Sequence, residues 1–255
     1  MQKGTIMTRK EFYDALSVRM PQSLSEEWDN DGEMCLPDLT RPVKKVLCTL
    51  DVGDAVVSRA IEEGYDLILS HHPLIFGGLR AVQPNDPVSR RVISLVQNDI
   101  AVFSFHTRLD AAEGGINDAL ANLLGLAHVE PLDGGLGRVG ELPSPLSMHD
   151  FAEKVKCALG APGLNILCKQ DTVSRVAVVG GEGKDFIAAA KASGADTYLS
   201  GRLGYHAMID GAINLVECGH YFTERHAAEL LADMAKDIDR SVQADFYAPN
   251  LLSVY

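Results

Sequence analysis

Strand-like and helix-like segments alternate along most of this chain, and this alternation constrains the fold more than any other feature of the sequence. Short runs of apolar and β-branched residues have the composition of buried strands. These runs are residues 43–50, 65–69, 100–105, 173–179, 196–199 and 213–218. Strands that alternate with helices are typical of parallel sheets. We therefore predict an α/β fold with two similar α/β halves, in which mainly parallel sheets are covered by helices.

A glycine-rich segment at residues 134–137 lies between the two halves. Because glycine tolerates most backbone conformations, this segment is suited to a flexible connector. The sequence therefore predicts a first α/β domain at residues 1–133 and a second at residues 134–255. After the last strand-like run we expect a long helix over about residues 221–236 and an edge strand at residues 243–247.

Two helix starts carry capping signals. Thr8 and Glu11 have the spacing of a capping box, in which each side chain accepts the other residue's backbone N–H. Asp86 and Pro87 place an N-cap residue before a proline at the first helical position. Both signals predict a helix that begins at the next residue.

The charge of the chain bears on its partners. There are 35 acidic and 23 basic residues, which gives a net charge of -12. A field of this sign repels nucleic-acid phosphates and acidic lipids. Lysine and arginine form no cluster longer than a pair, and no apolar run approaches the ~18 residues of a membrane span. The sequence therefore argues against nucleic acid and membrane as partners.

The cysteines indicate the compartment. The chain of 255 residues has five cysteines, an odd number, and no CxxC motif. Such usage favours reduced thiols over a disulfide framework. Residues 1–5 contain no apolar stretch of the kind that a secretory leader needs. We therefore expect a cytoplasmic protein.

Four histidines follow directly on strand-like runs, and two carboxylates come four residues after two of them. The histidines are His71, His72, His106 and His220, and the carboxylates are Asp110 and Glu224. Open α/β sheets carry their sites at the carboxyl ends of the strands. These residues are therefore candidates for a site between the two halves, at the carboxyl ends of their strands.

Imidazole and carboxylate side chains together form a metal-ligand set. His71 and His72 can converge once the strand has ended, and His220 and Glu224 share one face if a helix has begun by His220. Three imidazoles and two carboxylates suit two metal ions ~3.5–4 Å apart, bridged by a carboxylate. Glu224 is the first candidate for the bridge and Asp110 the next. The mixed nitrogen and oxygen donors favour zinc, iron or manganese.

His106 has more than one interpretation. It is a neighbour of the ligands, a general acid or base, or a hydrogen-bonded residue at a strand end, and its ordinary pKa suits proton transfer near neutral pH. His206 follows the segment at residues 200–202 and is a candidate for contact with substrate.

Several segments resemble the GTP cyclohydrolase I type 2 homologue family, also called the Nif-three-like family. They are Ser-His-His-Pro-Leu-Ile-Phe at residues 70–76, His-Thr-Arg-Leu-Asp-Ala-Ala at residues 106–112, Gly-His at residues 219–220 with Glu224, and Trp-Asp-Asn at residues 28–30. The similarity covers nearly the whole chain, and the first two segments together are specific. The resemblance implies two divalent metal ions per chain on His71, His72, Asp110, His220 and Glu224.

The resemblance also has implications for assembly and activity. It implies a toroidal homohexamer built as a trimer of dimers. The family name implies hydrolytic opening of the guanine ring of GTP.

Two segments depart from the family pattern. The family continues Trp-Asp-Asn with Val-Gly-Leu and a further glycine, whereas this chain has Asp31 in place of the valine and lacks the second glycine. Arg202 stands where the family often has an acidic residue. It either favours an anionic substrate or is a surface change.

These observations support three hypotheses. The first is a dinuclear metal-dependent hydrolase that opens GTP or a related nitrogen heterocycle, with protons handled by His106 or Glu224. The second is a non-enzymatic metal-binding scaffold or regulator. The third is a metal-dependent phosphoesterase. Both enzyme hypotheses imply a small anionic or heterocyclic substrate.

Overall fold

The computed structural model describes residues 6–252; residues 1–5, for which we predict no leader, lie outside the described residues. The strands are β1 (Gly32–Cys35), β2 (Lys45–Thr49), β3 (Leu67–Ser70), β4 (Ala101–Ser104), β5 (Ala127–Leu132), β6 (Gly137–Ser147), β7 (Asn165–Leu167), β8 (Thr172–Glu182), β9 (Thr197–Arg202), β10 (Asn214–Glu217) and β11 (Gln243–Phe246). The α-helices are α1 (Arg9–Arg19), α2 (Asp54–Glu62), α3 (Pro87–Gln97), α4 (Thr107–Ala111), α5 (Ile116–Leu123), α6 (Met148–Leu159), α7 (Ile187–Ala192), α8 (Tyr205–Ile209), α9 (His220–Glu224) and α10 (Ala227–Ile238). The predicted α/β class is confirmed.

The two capping signals are both used. The Thr8 hydroxyl accepts the backbone N–H of Glu11, and the Glu11 carboxylate accepts the backbone N–H of Thr8, at 2.8 Å. At α3 the Asp86 carboxylate accepts the backbone N–H of Ser89, at 2.7 Å, and Pro87 occupies the first helical position. Both helices therefore begin where the sequence predicts.

The chain forms two compact units. The first comprises the described part of Met1–Leu109 together with Ala227–Pro249, and the second comprises Asp110–His226 with the described part of Asn250–Tyr255. These bounds differ from the predicted domains at residues 1–133 and 134–255. Residues 134–137 do not connect two domains, because they lie in the turn between β5 and β6, which pair antiparallel within the second unit.

The sheet of the first unit is mainly parallel. Its strand order is β1-β4-β3-β2-β11, and only the β1–β4 pair is antiparallel. All four residues of β3 are buried, and Leu47, Ile68 and Val102 of three adjacent strands join one apolar cluster with residues of α2 and α3. Helix α10 packs against β2 and β11. The edge strand predicted near the carboxyl end of the chain is thus β11.

The sheet of the second unit is mixed and is apolar on both faces. Its order is β5-β6-β8-β9-β10-β7, with β8, β9 and β10 parallel to one another. Along β8, Val176 and Val178 belong to one apolar cluster, while Ala177 and Val179 belong to another. Since successive residues of a strand point to opposite faces, helices and loops cover both sides of this sheet.

The predicted helix over residues 221–236 is divided in two. Helix α9 ends at Glu224 and α10 begins at Ala227. The chain returns from the second unit to the first at this break. The apolar periodicity continues through the break, so the sequence pattern did not reveal it.

The cysteines are free thiols, as expected. Burial raises the pKa of the Cys35 thiol to about 11 and that of Cys218 to about 12. These two thiols therefore stay protonated at neutral pH. Among the described residues, every helix is too short or too polar to cross a membrane.

Candidate functional site

The histidine doublet follows β3, as the sequence predicts. Backbone hydrogen bonds to the end of β2 continue past Ser70, because the backbone N–H of His71 donates to the carbonyl of Thr49, at 3.2 Å, and that of His72 donates to the carbonyl of Leu50, at 2.9 Å. The two histidines therefore have a backbone held by the neighbouring strand. Their imidazole centroids lie 4.9 Å apart.

Hydrogen bonds fix the ring orientation of both residues. The Nδ1 atom of the fully buried His71 lies 3.0 Å from the carbonyl oxygen of Phe105. Nδ1 of His72 lies 2.8 Å from a carboxylate oxygen of Asp51. Since both oxygens are acceptors, Nδ1 carries the hydrogen in each ring and the neutral imidazole has its lone pair at Nε2. This tautomer is the one that a metal-binding imidazole needs.

His106 has the same arrangement on the neighbouring strand. Its Nδ1 lies 2.8 Å from a carboxylate oxygen of Asp29, whose side chain is fully buried. Thr107 donates two hydrogen bonds to the other oxygen of Asp29, from its backbone N–H at 3.1 Å and from its hydroxyl at 2.7 Å. Burial raises the pKa of Asp29, but the hydrogen bonds from His106 and Thr107 outweigh burial and lower this pKa to about 2. Asp29 is therefore an anion at neutral pH.

The three imidazoles form the histidine group of the first unit. His71, His72 and His106 each offer one ring nitrogen, and these atoms lie within 4.8 Å of one another. The His106 ring lies 5.1 Å from the His71 ring and 5.6 Å from the His72 ring, between centroids. The structure thus places His106 beside the histidine doublet, which the sequence left open.

A second set of candidate ligands lies in the second unit and includes the first and last residues of α9; we call it the carboxylate group. His220 and Glu224 share one face of this helix, and Nε2 of His220 lies 2.9 Å from an oxygen of Glu224. This agrees with the predicted spacing of four residues. The Glu224 side chain is only 5% exposed, whereas that of His220 is 44% exposed.

Two glycines of β8 make room for Glu224. Gly181 has a φ of +63°, and a Cβ atom there would collide with the Glu224 carboxylate. A Cβ on Gly180 would lie 3.2 Å from the Glu224 side chain. The hydroxyl of Thr223 accepts the backbone N–H of Gly181, at 3.0 Å, and donates to the carbonyl of His220, at 2.8 Å. The end of β8 and the first turn of α9 are therefore bonded together around the carboxylate.

Asp110 belongs to the same group. It is 7% exposed, and one of its carboxylate oxygens lies within 4.8 Å of an oxygen of Glu224. The fully buried Asn117 donates to the backbone carbonyl of Asp110, at 3.4 Å, and accepts the backbone N–H of Gly180, at 2.8 Å. Asn117 thereby links the backbone of Asp110 to β8, the strand whose glycines make room for Glu224.

The two predicted substrate contacts lie on the surface of the second unit. Arg202 is exposed at the end of β9, where it pairs in register with Glu182. His206 is exposed on α8 and is not a member of either ligand group. Their predicted role in substrate binding stays a prediction.

The residues that orient the histidines were not predicted from the sequence. Asp51 follows β2, as His71 follows β3, and its position beyond a strand end is a signal that could have revealed it. Asp29 lies in a segment that we matched to the family, but the residue it bonds, His106, is 77 positions away. Asn117 carries no comparable signal, because its task is to bond two backbones.

The donor chemistry of both groups fits divalent metal ions. The first unit offers the Nε2 atoms of three imidazoles, because an oxygen acceptor engages Nδ1 of each ring. The second unit offers an imidazole with two nearly buried carboxylates. Buried carboxylates so close together repel each other unless a proton or a cation lies near them. The fold and these groups define an α/β protein with candidate metal-ligand clusters at strand ends.

Comparison with known proteins gives the family. The family described as Duf34/NIF3 (NGG1p interacting factor 3) matches residues 7–248. A "GTP cyclohydrolase 1 type 2 homolog" of Clostridium perfringens is 34% identical over 80% of this chain and 82% of its own length. One of Streptococcus pneumoniae is 32% identical over 91% and 92%. The chain therefore belongs to the Duf34/NIF3 family, and the resemblance is confirmed.

Solved structures share the fold of this chain. A Bacillus cereus protein related to NIF3 superposes with a TM-score of 0.89 over 98% of this chain and 99% of its own, at 24% identity, which supports the fold alone. Reduced HcgD from Methanocaldococcus jannaschii has a TM-score of 0.81 at 30% identity, over 94% of this chain and 97% of its own.

Proposed function

We propose that this protein is a metal-dependent hydrolase that opens the ring of GTP or of a related nitrogen heterocycle. The observation that carries the proposal is the histidine group, in which three neighbouring imidazoles each turn Nδ1 toward an oxygen acceptor. Metal-binding histidines have this arrangement because the second hydrogen bond fixes the ring and its tautomer. The curated relatives named "GTP cyclohydrolase 1 type 2 homolog" support the substrate class.

The proposed ligands are those that the resemblance implies. They are His71, His72, Asp110, His220 and Glu224, and they would hold two divalent ions of zinc, iron or manganese. When bound, such ions would act as Lewis acids toward the substrate, and they would lower the pKa of bound water to near neutrality. We assign the bridging position to Glu224 because its carboxylate is nearly buried and lies near both His220 and Asp110.

His106 is the proposed general base. Asp29 orients its ring through Nδ1, in the way that a carboxylate orients a catalytic histidine. Nε2 can then take a proton from the attacking water and return it to the ring nitrogen that is released when the C–N bond breaks. Glu224 is the second candidate for moving this proton.

Arg202 and His206 would contact an anionic part of the substrate. The protein would act in the cytoplasm as a homohexamer, a trimer of dimers. Light scattering of the purified protein tests the assembly, since a monomer would exclude it.

The test is a substrate screen with defined metal content. Protein purified without chelator would be analysed for metal, and the metal-free and reloaded forms would be offered GTP, related heterocycles and generic phosphoesters. We expect turnover of a heterocycle that requires metal and is lost in Glu224→Gln, while the exposed His149→Ala retains it. Turnover of phosphoesters alone would replace the ring-opening proposal with a phosphoesterase.

The second candidate is a non-enzymatic metal-binding scaffold or regulator. The family description, "NGG1p interacting factor 3", names an interaction and no reaction. Stoichiometric metal without turnover of any substrate class would favour this candidate over the hydrolase.

A further inference from the structure

Two large aromatic side chains lie exposed beside the histidine group. Trp28 is 62% exposed and Phe76 is 59% exposed. Both rings meet His106 edge-on, with centroid distances of 6.1 Å for Trp28 and 6.2 Å for Phe76. We call this pair of rings the aromatic rim. Two large exposed rings side by side form an apolar patch that water solvates poorly. Such a patch beside a cluster of imidazoles indicates a ligand-binding surface.

The backbone that carries Trp28 is fixed to the strand end that carries His106. Residues 26–29 form a turn in which the backbone N–H of Asp29 donates to the carbonyl of Glu26, at 3.0 Å. Both ends of this turn are bonded to Thr107: its hydroxyl accepts the N–H of Glu26, at 3.0 Å, and donates to the Asp29 carboxylate, at 2.7 Å. The exposed indole therefore stands at the tip of a held turn, next to the proposed base.

The backbone that carries Phe76 is bonded to the same segment. The side-chain amide of Asn30 donates to the carbonyl of Ile75, at 2.5 Å. The centroids of Trp28 and Phe76 lie 6.2 Å apart, with their planes inclined by 58°. Because stacked rings need centroid spacings of at least ~4.5 Å, a third ring between them would require about 9 Å. A ligand ring therefore cannot be sandwiched between the two side chains.

We propose that the aromatic rim is a stacking platform for the planar base of the substrate, beside the histidine group. This inference rests on the proposed function and names how the heterocycle is held. Aromatic side chains bind any base through its π-face, so the platform selects planar nitrogen heterocycles over non-aromatic phosphoesters. A rim held in place before binding loses little conformational entropy when the base arrives.

The chain offers a direct test, because Trp28 is its only tryptophan. Its fluorescence, excited at the red edge of the tryptophan band, would be recorded during titration with guanosine, GTP and inorganic tripolyphosphate, in metal-free and metal-loaded protein. We expect saturable quenching by guanosine and by GTP, and none by tripolyphosphate. The platform would be overturned if tripolyphosphate quenched as strongly as GTP, or if neither guanosine nor GTP quenched the fluorescence.

Variants at the second ring complete the test. Phe76→Leu should weaken guanosine binding by roughly 5- to 160-fold, the range for loss of a base–aromatic stack, whereas Phe76→Tyr should retain binding. The control is Phe246→Leu, which removes a 52% exposed phenylalanine on β11 and should leave binding unchanged. Equal affinity in Phe76→Leu and Phe76→Tyr would contradict a stacking role for Phe76.

The result separates this inference from the proposed function. If Glu224→Gln abolishes turnover while Trp28→Leu and Phe76→Leu leave the KM for GTP unchanged, the hydrolase stands and the platform fails. If guanosine binds to the rim but no heterocycle is turned over, the platform stands and the hydrolase fails.

Discussion

Arg108 and Asp31 form an ion pair in which both side chains are fully buried, with Nε of the guanidinium 3.0 Å from a carboxylate oxygen. The guanidinium also donates to the carbonyl of Met20, at 3.2 Å, and lies over the ring of Phe105, 4.4 Å from its centroid. Asp31 also accepts the backbone N–H of His106, at 3.3 Å. The departure from the family's valine at Asp31 thus supplies the counter-ion of a buried arginine beside the histidine group.

Removing one member of this pair should destabilise the protein strongly. Asp31→Val leaves the buried guanidinium uncompensated, and we expect a loss of about 3–5 kcal/mol in the free energy of unfolding. The double variant Asp31→Val with Arg108→Leu should recover much of this loss, because it removes both charges. Urea denaturation of the four proteins in a double-mutant cycle measures the coupling. Additive effects would show that the two charges do not depend on each other.

Asp51 should control metal binding through His72. Asp51→Ala removes the carboxylate that engages Nδ1, and loss of such a partner lowers metal affinity by about 10–100-fold. Competition with a chelating dye measures the affinity. Asp54→Ala is the matched control, since this exposed carboxylate bonds Arg90 and Arg91 instead. A similar loss in both variants would indicate a general effect of charge.

Gly181 should be required for Glu224 to reach its position. In Gly181→Ala the new Cβ collides with the carboxylate, so we expect metal to be lost together with some stability. Gly194→Ala is a control with the same backbone problem, because Gly194 has a φ of +80° and no atom within 4 Å of a Cβ. It should cost about 1–2 kcal/mol of left-handed strain and keep its metal. Elemental analysis and urea denaturation separate the two outcomes.

His72→Ala and Glu224→Ala should each lose metal without unfolding the chain. Both side chains are proposed ligands, one from each ligand group. Elemental analysis measures the content, circular dichroism checks the fold, and the exposed His149→Ala serves as control. Unchanged metal in both variants would remove the ligand assignment.

Protonation of Glu217 should contribute to the loss of stability in acid. Burial raises the pKa of this carboxyl, but hydrogen bonds from the backbones of Leu203 and Gly204 and from Asn165 outweigh burial and lower the pKa below its ordinary value of 4.5. The ionised group therefore stabilises the fold above pH 4.5, and this contribution is lost as the pH falls through the lowered pKa.

The variant Glu217→Gln has no such titration. Its stability should fall less steeply below pH 4.5 than that of the unaltered protein, as measured by urea denaturation across this range. Parallel curves for the two proteins would contradict the role of Glu217.

The sequence predicted the strand-end histidines because parallel strands bring their carboxyl ends to one edge, a rule that depends only on local patterns. It also predicted that His220 and Glu224 share a helix face. It did not predict the β5–β6 hairpin, because glycines at a tight turn and in a flexible linker look alike. Nor did it predict the Asp29–His106 bond, since nothing local joins residues 77 positions apart.

The discontinuous first unit has a consequence for synthesis of the protein. Strand β2 pairs with β11 through Lys45 and Gln243, so this edge of β2 stays open until β11 has been made. At ~5–20 residues per second, the ribosome needs roughly 10–40 s to travel between these two residues. The second unit is almost contiguous and can fold during this interval. An unpaired apolar strand is prone to associate with other chains, so nascent chains are expected to need protection by chaperones over β2 until β11 arrives.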